Sequence, residues 1–550
     1  MISKQRIDYY LIALLGVLLA VIAFKWNHLN TPYFWDEAWV YAPAVQTMNK
    51  TGLSLLPTAL HIDLSRGHPL VFHFLAAVWV RIFGTGFIAV HSFPLFISLL
   101  LLYSVYSFGK HFFSSLVGFS AALLLAVQPL FLAQSAMLLP EVMLTLWTVL
   151  AFYFYLRNMK TGFIVFSVLM LLTKESGLVF LVAIGCWELL DGLILQRKKI
   201  KIAQVLINCS LPLIPLALAS VFFIIQKFQH GWFFYPDHLK VITFSLDVIS
   251  NRLISFYDFT FERQGRYVLI FSVIAGLLFL IKKLSLTEKI IIGCSYLAIA
   301  VFFATGKFFS SNIAMAVVIL LLVLVLAHSL IAAYAENYNT LRILVISVLF
   351  TGGFFMFCAL NTFTTRYLFV IFPFVITAFV YLIHSSVMSR KWIFALLIGV
   401  SSLSCLRAVN TDEVSRDYSM SYLEAVTAQK KMTDYLVENK MQDKKIFANW
   451  LSVTCLTQPY AGYITAENYF PGAIDVITPE IEYCIFTNIE MNVNYDSLIM
   501  FIELEPVISI EEKSTWIDIY KFKGFSADTT TVSKQEMDIR KKRRDKYRNL

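Results

Sequence analysis

The chain has 550 residues, of which 58% are hydrophobic, 15% aromatic and only 15% charged, with a mean hydropathy of +0.70. A soluble domain carries roughly a quarter of its residues charged, so this composition excludes an ordinary soluble enzyme and points to a polytopic membrane protein. The formal net charge of +9 makes no case for nucleic acid, because the basic residues gather in short connectors between apolar runs, as positive-inside sorting distributes them.

A helix needs about 20 apolar residues to cross the hydrocarbon. The first run, Asp8–Lys25, follows Lys4 and Arg6 and is too long for a cleaved leader, so it reads as a retained signal anchor. A long loop, 26–87, comes next. It opens on Tyr33-Phe34-Trp35-Asp36-Glu37-Ala38-Trp39-Val40-Tyr41 and carries a second polar cluster at Asp63, Arg66, His68 and Pro69. Within it, His68–Gly84 is short and contains His73 and Arg81, which predicts a helix lying along the membrane surface with Phe72 and Trp79 at the interface.

Further apolar runs cover Ile88–Phe108, Ser114–Ala133, Glu141–Leu156, Thr161–Leu172, Gly177–Leu195, Ile202–Gln226, Tyr267–Ile281, Leu286–Ala304, Asn312–Ala333, Leu341–Leu360, Tyr367–Ile383 and Trp392–Leu406. The expectation is a mainly α membrane helix bundle of about thirteen spans. With the N-terminus inside, every inner connector holds a basic residue: Lys110, Arg157 and Lys160, Arg197 to Lys201, Lys282 and Lys283, Arg342, and Arg390 with Lys391. The long outer regions are then 26–87, 227–266 and everything after Arg407.

Past residue 408 the composition turns mixed and polar. A helix over Ser421–Asn439 and short alternating runs at Lys445–Trp450, Glu482–Thr487 and Trp516–Lys521 predict a small α/β domain over 409–530, followed by a basic tail, 531–550. Of seven cysteines, five (Cys186, Cys209, Cys294, Cys358, Cys405) lie in apolar runs and read as small buried hydrophobes. Cys455 and Cys484 lie in the outer domain, where an oxidising compartment predicts a disulfide. No Cys-x-x-Cys pair or zinc-finger spacing occurs in the sequence.

This topology collects Asp36, Glu37, Arg66, His68, Glu141, Lys174, Glu175, Arg366 and Tyr367 at one membrane face. Carboxylates among several cations suit a reaction in which a base removes a proton while an anionic phosphate departs. Each residue also has a plainer reading. Asp36 and Glu37 suit a helix start, as does Glu141 after Pro140. His68 before Pro69 suits a turn, Lys174 with Glu175 a paired connector charge, and Arg366 a snorkelling flank. Glu188 and Asp191, near the inner end of a run, read as structural.

Trp35–Tyr41 followed by RGHPLVFHF resembles the first outer loop of the polyprenyl-phosphate-dependent glycosyltransferases with the GT-C fold, nearest the lipid A aminoarabinose transferase and protein O-mannosyltransferase branch. AMLLPEVMLTLW, LLTKESGL and TRYLFVIFPF are similar to later motifs of that family. The resemblance implies a transferase passing a sugar from a polyprenyl-phosphate donor to a lipid or protein acceptor hydroxyl. It makes Asp36 the base or acceptor-orienting acid, with Glu37 beside it, and Glu141 a second acid. Lys174, Arg366 and Arg66 fall near the donor phosphate, with Trp35, Tyr41, His68 and Tyr367 against substrate. The chain departs from the family at Arg66-Gly67-His68-Pro69, where many relatives have Glu-Lys-Pro-Pro. A divalent metal, with Asp36, Glu141 and His68 as candidate ligands, is left open by the spacing, and no Gly-rich phosphate loop occurs. The implied chemistry is an inverting single displacement at the outer face of a bacterial cytoplasmic membrane. A lipid or solute transporter and a lipid-linked glycan ligase are the alternatives.

Overall fold

The computed structural model describes residues 8–196, 201–280, 284–305, 312–361, 364–387, 390–410, 416–490 and 502–525. The basic tail 531–550 and the connector cations Arg197, Lys198, Lys199, Lys282 and Lys283 lie outside the described residues. Every predicted apolar run is helical over most of its length. The chain is a multi-pass membrane protein: among the described residues eight helices are long and apolar enough to cross a bilayer, or nine if the bent pair Leu246–Glu262 and Tyr267–Leu280, which meet at 77°, counts as one span.

That is fewer than thirteen, and the shortfall has local causes. The run Ser114–Ala133 ends as a helix at Ala126, because Pro129 cannot donate into a continuing ladder and opens a new short helix instead. Glu141–Leu156 and Lys160–Thr173 reach only 16 and 14 residues. The expected surface helix forms over Val71–Phe83, but Phe72 is a core residue with 1% exposure rather than an interfacial one. Trp79 is half-buried against Phe83, Phe93 and Phe96, and its Nε1–H donates to the Ala89 carbonyl at 3.1 Å and the Ser92 hydroxyl at 3.0 Å.

Close helix contact follows from small residues, as expected where no hydrophobic effect drives helices together. A Cβ on Gly109 would stand 2.5 Å from the Gly118 Cα, so the helices Phe87–Phe112 and Ser115–Ala126 touch backbone to backbone there. Of the span cysteines, Cys358 and Cys405 are buried as expected. Cys186 and Cys294 instead are exposed on the outside of the bundle, and Cys209 is half-buried; a surrounding of lipid makes outward apolar side chains costless.

The C-terminal part holds a five-stranded sheet. β1 (Ile446–Phe447) runs parallel to β2 (Ala473–Ile474) and to β3 (Tyr483–Thr487), while β4 (Ile502–Glu512) and β5 (Thr515–Phe525) form an antiparallel pair beside β3, in the order β2-β1-β3-β5-β4. The helix Tyr422–Glu438 matches its prediction, whereas Trp450, expected to end a strand, starts the helix Trp450–Thr457, N-capped by Asn449, whose side chain accepts from the Ser452 N–H. β4 escaped the sequence reading because Pro506 and four glutamates break its apolar alternation, features an edge strand tolerates.

Cys455 and Cys484 are both free and buried, which overturns the predicted disulfide. Alternation along β3 sends Cys484 and Phe486 to one face, with Phe447 and Tyr520, while Cys455 packs with Ile485 in the cluster on the other.

Candidate active site

The first loop approaches the site through one strained position. Trp35 has a φ of 55°, rare for a bulky residue, and is followed by a wide helical turn, Glu37–Tyr41, with i→i+5 bonds of the kind that often marks functional sites. Trp35 packs edge-on against Trp450 and lies beneath the Arg416 guanidinium. The Asp36 and Glu37 side chains then diverge, as neighbours on a helical turn must.

Asp36 turns to a network centred on Arg366. Buried at 1% exposure, the Arg366 guanidinium pairs with Asp36 through Nη2, with Asp417 through Nη1 and with Glu141 Oε1 through Nε at 3.5 Å. Lys174 Nζ reaches the same Glu141 oxygen at 3.0 Å and sits 3.6 Å from the centroid of the Tyr367 ring. The other Asp36 oxygen accepts from Trp39 Nε1–H at 3.1 Å. Five charged groups from five distant segments thus share one site, three carboxylates against two cations. Glu141 Oε2 is buried and has no hydrogen-bond partner, and its carboxylate starts the helix Glu141–Leu156, where the N-terminal end of the dipole favours negative charge.

Above this network lies a cavity of about 390 Å³. Of the residues singled out in the sequence, Asp36, Tyr41, Arg66, His68, Glu141, Lys174 and Tyr367 line it, together with an apolar wall of Leu144, Phe354 and Phe357. Arg366 does not line it, nor do Glu37 and Trp35. Arg366 is therefore a hub beneath the cavity, engaged by three carboxylates, rather than a cation facing it. Arg66, with φ 47°, lines the cavity with its guanidinium over the Trp39 ring at 5.0 Å and the Tyr235 ring at 6.0 Å. Its neighbour Gly67 adopts φ 72°, and a Cβ there would stand 2.8 Å from the Tyr235 Cβ. Gly67 thus lets the segment 232–238 seat against the first loop beside the cavity.

Glu37 is turned into the protein. Its carboxylate accepts from the Leu138 N–H at 2.7 Å, from the Phe34 N–H at 3.2 Å and shares a hydrogen with His91 Nε2 at 2.9 Å, at 2% exposure. It braces the first loop against the turn before Glu141, which corrects its assignment as a catalytic neighbour of Asp36. Glu37→Gln is expected to lower thermal stability by about 1–3 kcal/mol, since a buried acceptor of three bonds is disturbed, and to leave turnover per folded molecule unchanged; a loss of turnover at parental stability would return Glu37 to the chemistry.

The metal set Asp36, Glu141 and His68 does not assemble among the described residues, because Arg366 and Lys174 hold the two acids. His68 instead meets Glu175 and His238. Burial, with His68 alongside, pushes the His238 imidazole down to about 4, so it is neutral at pH 7.

Sequence reasoning missed Asp417 and His238, and placed Glu175 at this face without giving it a role. Asp417 stands nine residues past the predicted end of the membrane part, in a stretch with no motif, and only folding brings it to Arg366. Glu188 and Asp191 meet the structural expectation at the other end of the bundle, bonded to the Tyr155 hydroxyl and to Gln196 respectively.

With the geometry in hand, comparison with known proteins is informative. Residues 67–224 match the family model described as dolichyl-phosphate-mannose-protein mannosyltransferase. Over that stretch the chain is similar to this family. The matched segment includes His68, Glu141, Lys174 and Glu175, and bears out the resemblance drawn from the motifs. Among solved structures, the chain is similar to ArnT from Cupriavidus metallidurans in the apo state, with 11% identity, 93% of this chain and 97% of that chain covered, and a TM-score of 0.46. It is similar to the same protein bound to undecaprenyl phosphate, with 11% identity, the same coverage and a TM-score of 0.45. The apo oligosaccharyltransferase of Archaeoglobus fulgidus shares 12% identity over 88% of this chain and 70% of that chain, with a TM-score of 0.44. No curated protein sequence matches significantly.

Proposed function

We propose that this chain is an integral-membrane glycosyltransferase that moves a sugar from a polyprenyl-phosphate carrier to an acceptor hydroxyl at the extracytoplasmic face of a bacterial cytoplasmic membrane. One observation carries the reading: Asp36 and Lys174 line a single cavity that also has an apolar wall, Leu144, Phe354 and Phe357. A lipid-linked sugar phosphate needs both surfaces together, apolar for the tail and charged for the head. The family match over 67–224 supports the same reading.

In the proposed step the acceptor oxygen attacks the anomeric carbon as the bond from that carbon to the phosphate oxygen breaks. The acceptor proton goes to Asp36, and the electron pair of the broken bond leaves on the polyprenyl phosphate, whose negative charge Lys174 and Arg66 offset. One displacement inverts the anomeric carbon. Arg366 orients Asp36 and Glu141 from below. The acceptor is a hydroxyl of lipid A, a protein or another envelope glycan. We read residues 409–530 as a domain that completes the site, since Asp417 pairs with Arg366 and Trp450 packs on Trp39 at 5.3 Å.

The test is a transfer assay with purified protein in lipid, following release of undecaprenyl phosphate from radiolabelled undecaprenyl-phosphate sugars and gain of label by envelope acceptors. Label crossing the bilayer with the donor intact would instead mean transport. Lys174→Gln is expected to weaken binding of undecaprenyl phosphate about tenfold or more, the scale of one charge-assisted contact to phosphate. Equal affinity in the folded variant would make Lys174 only the partner of Glu141.

A further inference from the structure

Beside the Arg366 network the same cavity holds a second cluster that the proposed step does not use. His68 follows the left-handed pair Arg66–Gly67, Glu175 sits in the turn after the helix Lys160–Thr173, and His238 lies on the short helix Pro236–Lys240. One ligand atom from each lies within 4.8 Å of the other two. His68 Nδ1 is 3.0 Å from Glu175 Oε2, and the two imidazole rings are 4.9 Å apart between centroids, tilted by 33°. All three side chains are half-buried and line the cavity.

Packing, rather than chance on a free loop, brings them together. Gly67 admits Tyr235 where a Cβ would meet it at 2.8 Å, and Arg66 lies over the Tyr235 ring, so the segment carrying His238 is seated on the residues that precede His68. A bare hydrogen-bond pair needs one imidazole for one carboxylate, and here a second imidazole is held against the first. Two histidines and one glutamate are a donor set of mononuclear zinc sites, in which three protein ligands leave a fourth position for water or substrate. Imidazole nitrogen favours zinc and its transition-metal neighbours over magnesium or calcium.

We propose that His68, Glu175 and His238 form a binding site for a divalent transition-metal ion of the zinc type, with its fourth position turned to the cavity. Drawing the three ligand atoms onto one ion, each at about 2.0–2.2 Å, ties the outer loop 227–266 to the first loop and to the Lys174–Glu175 turn. If the glycosyl-transfer reading holds, an oxygen of the donor phosphate takes the fourth position, so the ion orients the leaving group that Lys174 also meets; the ion site itself does not depend on that reading.

The test uses the full chain in lipid nanodiscs, stripped with chelator, incubated with zinc chloride and washed, with metal content read by mass spectrometry. The parent is expected to retain about one ion per chain, and His61→Ala, an exposed histidine outside the cluster, to do the same. His238→Ala should lower zinc affinity by about 100-fold or more, and His238→Cys, which supplies a thiolate ligand, should restore it. A parent that takes up no zinc, or a His238→Ala protein that binds as the parent does, overturns the site. If His238→Ala does not fold, His68→Gln carries the same expectation. The uptake measurement contains no donor and is independent of the transfer assay, so zinc uptake by a protein that transfers no sugar in that assay would leave this site standing and remove the glycosyl-transfer reading, and transfer without uptake would do the reverse.

Discussion

Asp36→Asn is expected to lower single-turnover sugar transfer by roughly 100-fold or more, the usual scale for removing a general base, with donor binding nearly intact. The substitution keeps the shape and removes the charge. A carboxylate can take up the acceptor proton, which an amide cannot. The site tolerates the change because the Asp36 side chain is still 23% exposed, and Arg366 keeps Asp417 and Glu141 as partners. Trp39 Nε1–H can still donate to the amide oxygen that replaces Oδ1. Full transfer by a folded Asp36→Asn protein would end the role of base, while a loss confined to folding would make Asp36 a counter-ion of Arg366 and nothing more.

Arg366→Gln is expected to produce the largest loss of stability of any single change at the site. Removing one partner of a buried ion pair leaves uncompensated charge and costs about 3–5 kcal/mol, and here Asp36, Asp417 and Glu141 would be left against Lys174 alone. Arg366→Lys should recover little, because a single ammonium cannot meet three carboxylates in the directions that the planar guanidinium serves. Adding Asp417→Asn to Arg366→Gln should restore part of the lost stability, since it removes one of the stranded charges. Thermal unfolding in nanodiscs reads all three variants. Parental stability in Arg366→Gln would show that the network is not a structural hub, and a selective fall in donor affinity would instead make Arg366 a phosphate ligand.

The two experiments separate roles that the residue types alone leave merged. Asp36 lines the cavity and Arg366 lies beneath it, so the first change acts on chemistry and the second on the frame that presents it. Glu37 stands apart from both, although it is adjacent to Asp36 in sequence, because one step along a helical turn rotates its side chain toward His91 and Leu138.

Much of the architecture was legible in the chain itself. Apolar runs report their helices directly, since a backbone in lipid must satisfy its own hydrogen bonds, and the bounds of Tyr9–Trp26, Leu286–Ala304 and Lys391–Ala408 fall within two residues of those expected. The helix Tyr422–Glu438 was visible as the stretch Ser421–Asn439, and the polar clusters at 33–41, 66–69, 141 and 174 stood out because charge is rare in such a sequence. Periodicity carries no information about which charge meets which. Arg366 finding three carboxylates, Asp417 arriving from beyond the last span, and His238 closing on His68 and Glu175 are pairings between segments tens to hundreds of residues apart. They depend on how the helices pack, on Gly67 admitting Tyr235, and on the C-terminal sheet docking onto the first loop, where Tyr33 N–H donates to the Ala461 carbonyl and the Tyr463 hydroxyl to the Tyr33 carbonyl, both at 3.0 Å. Sequence by itself determined that charge would gather at the ends of a helical bundle, since hydrocarbon admits it nowhere else at low cost; tertiary packing alone decided which charges line the cavity and which are buried to hold it open.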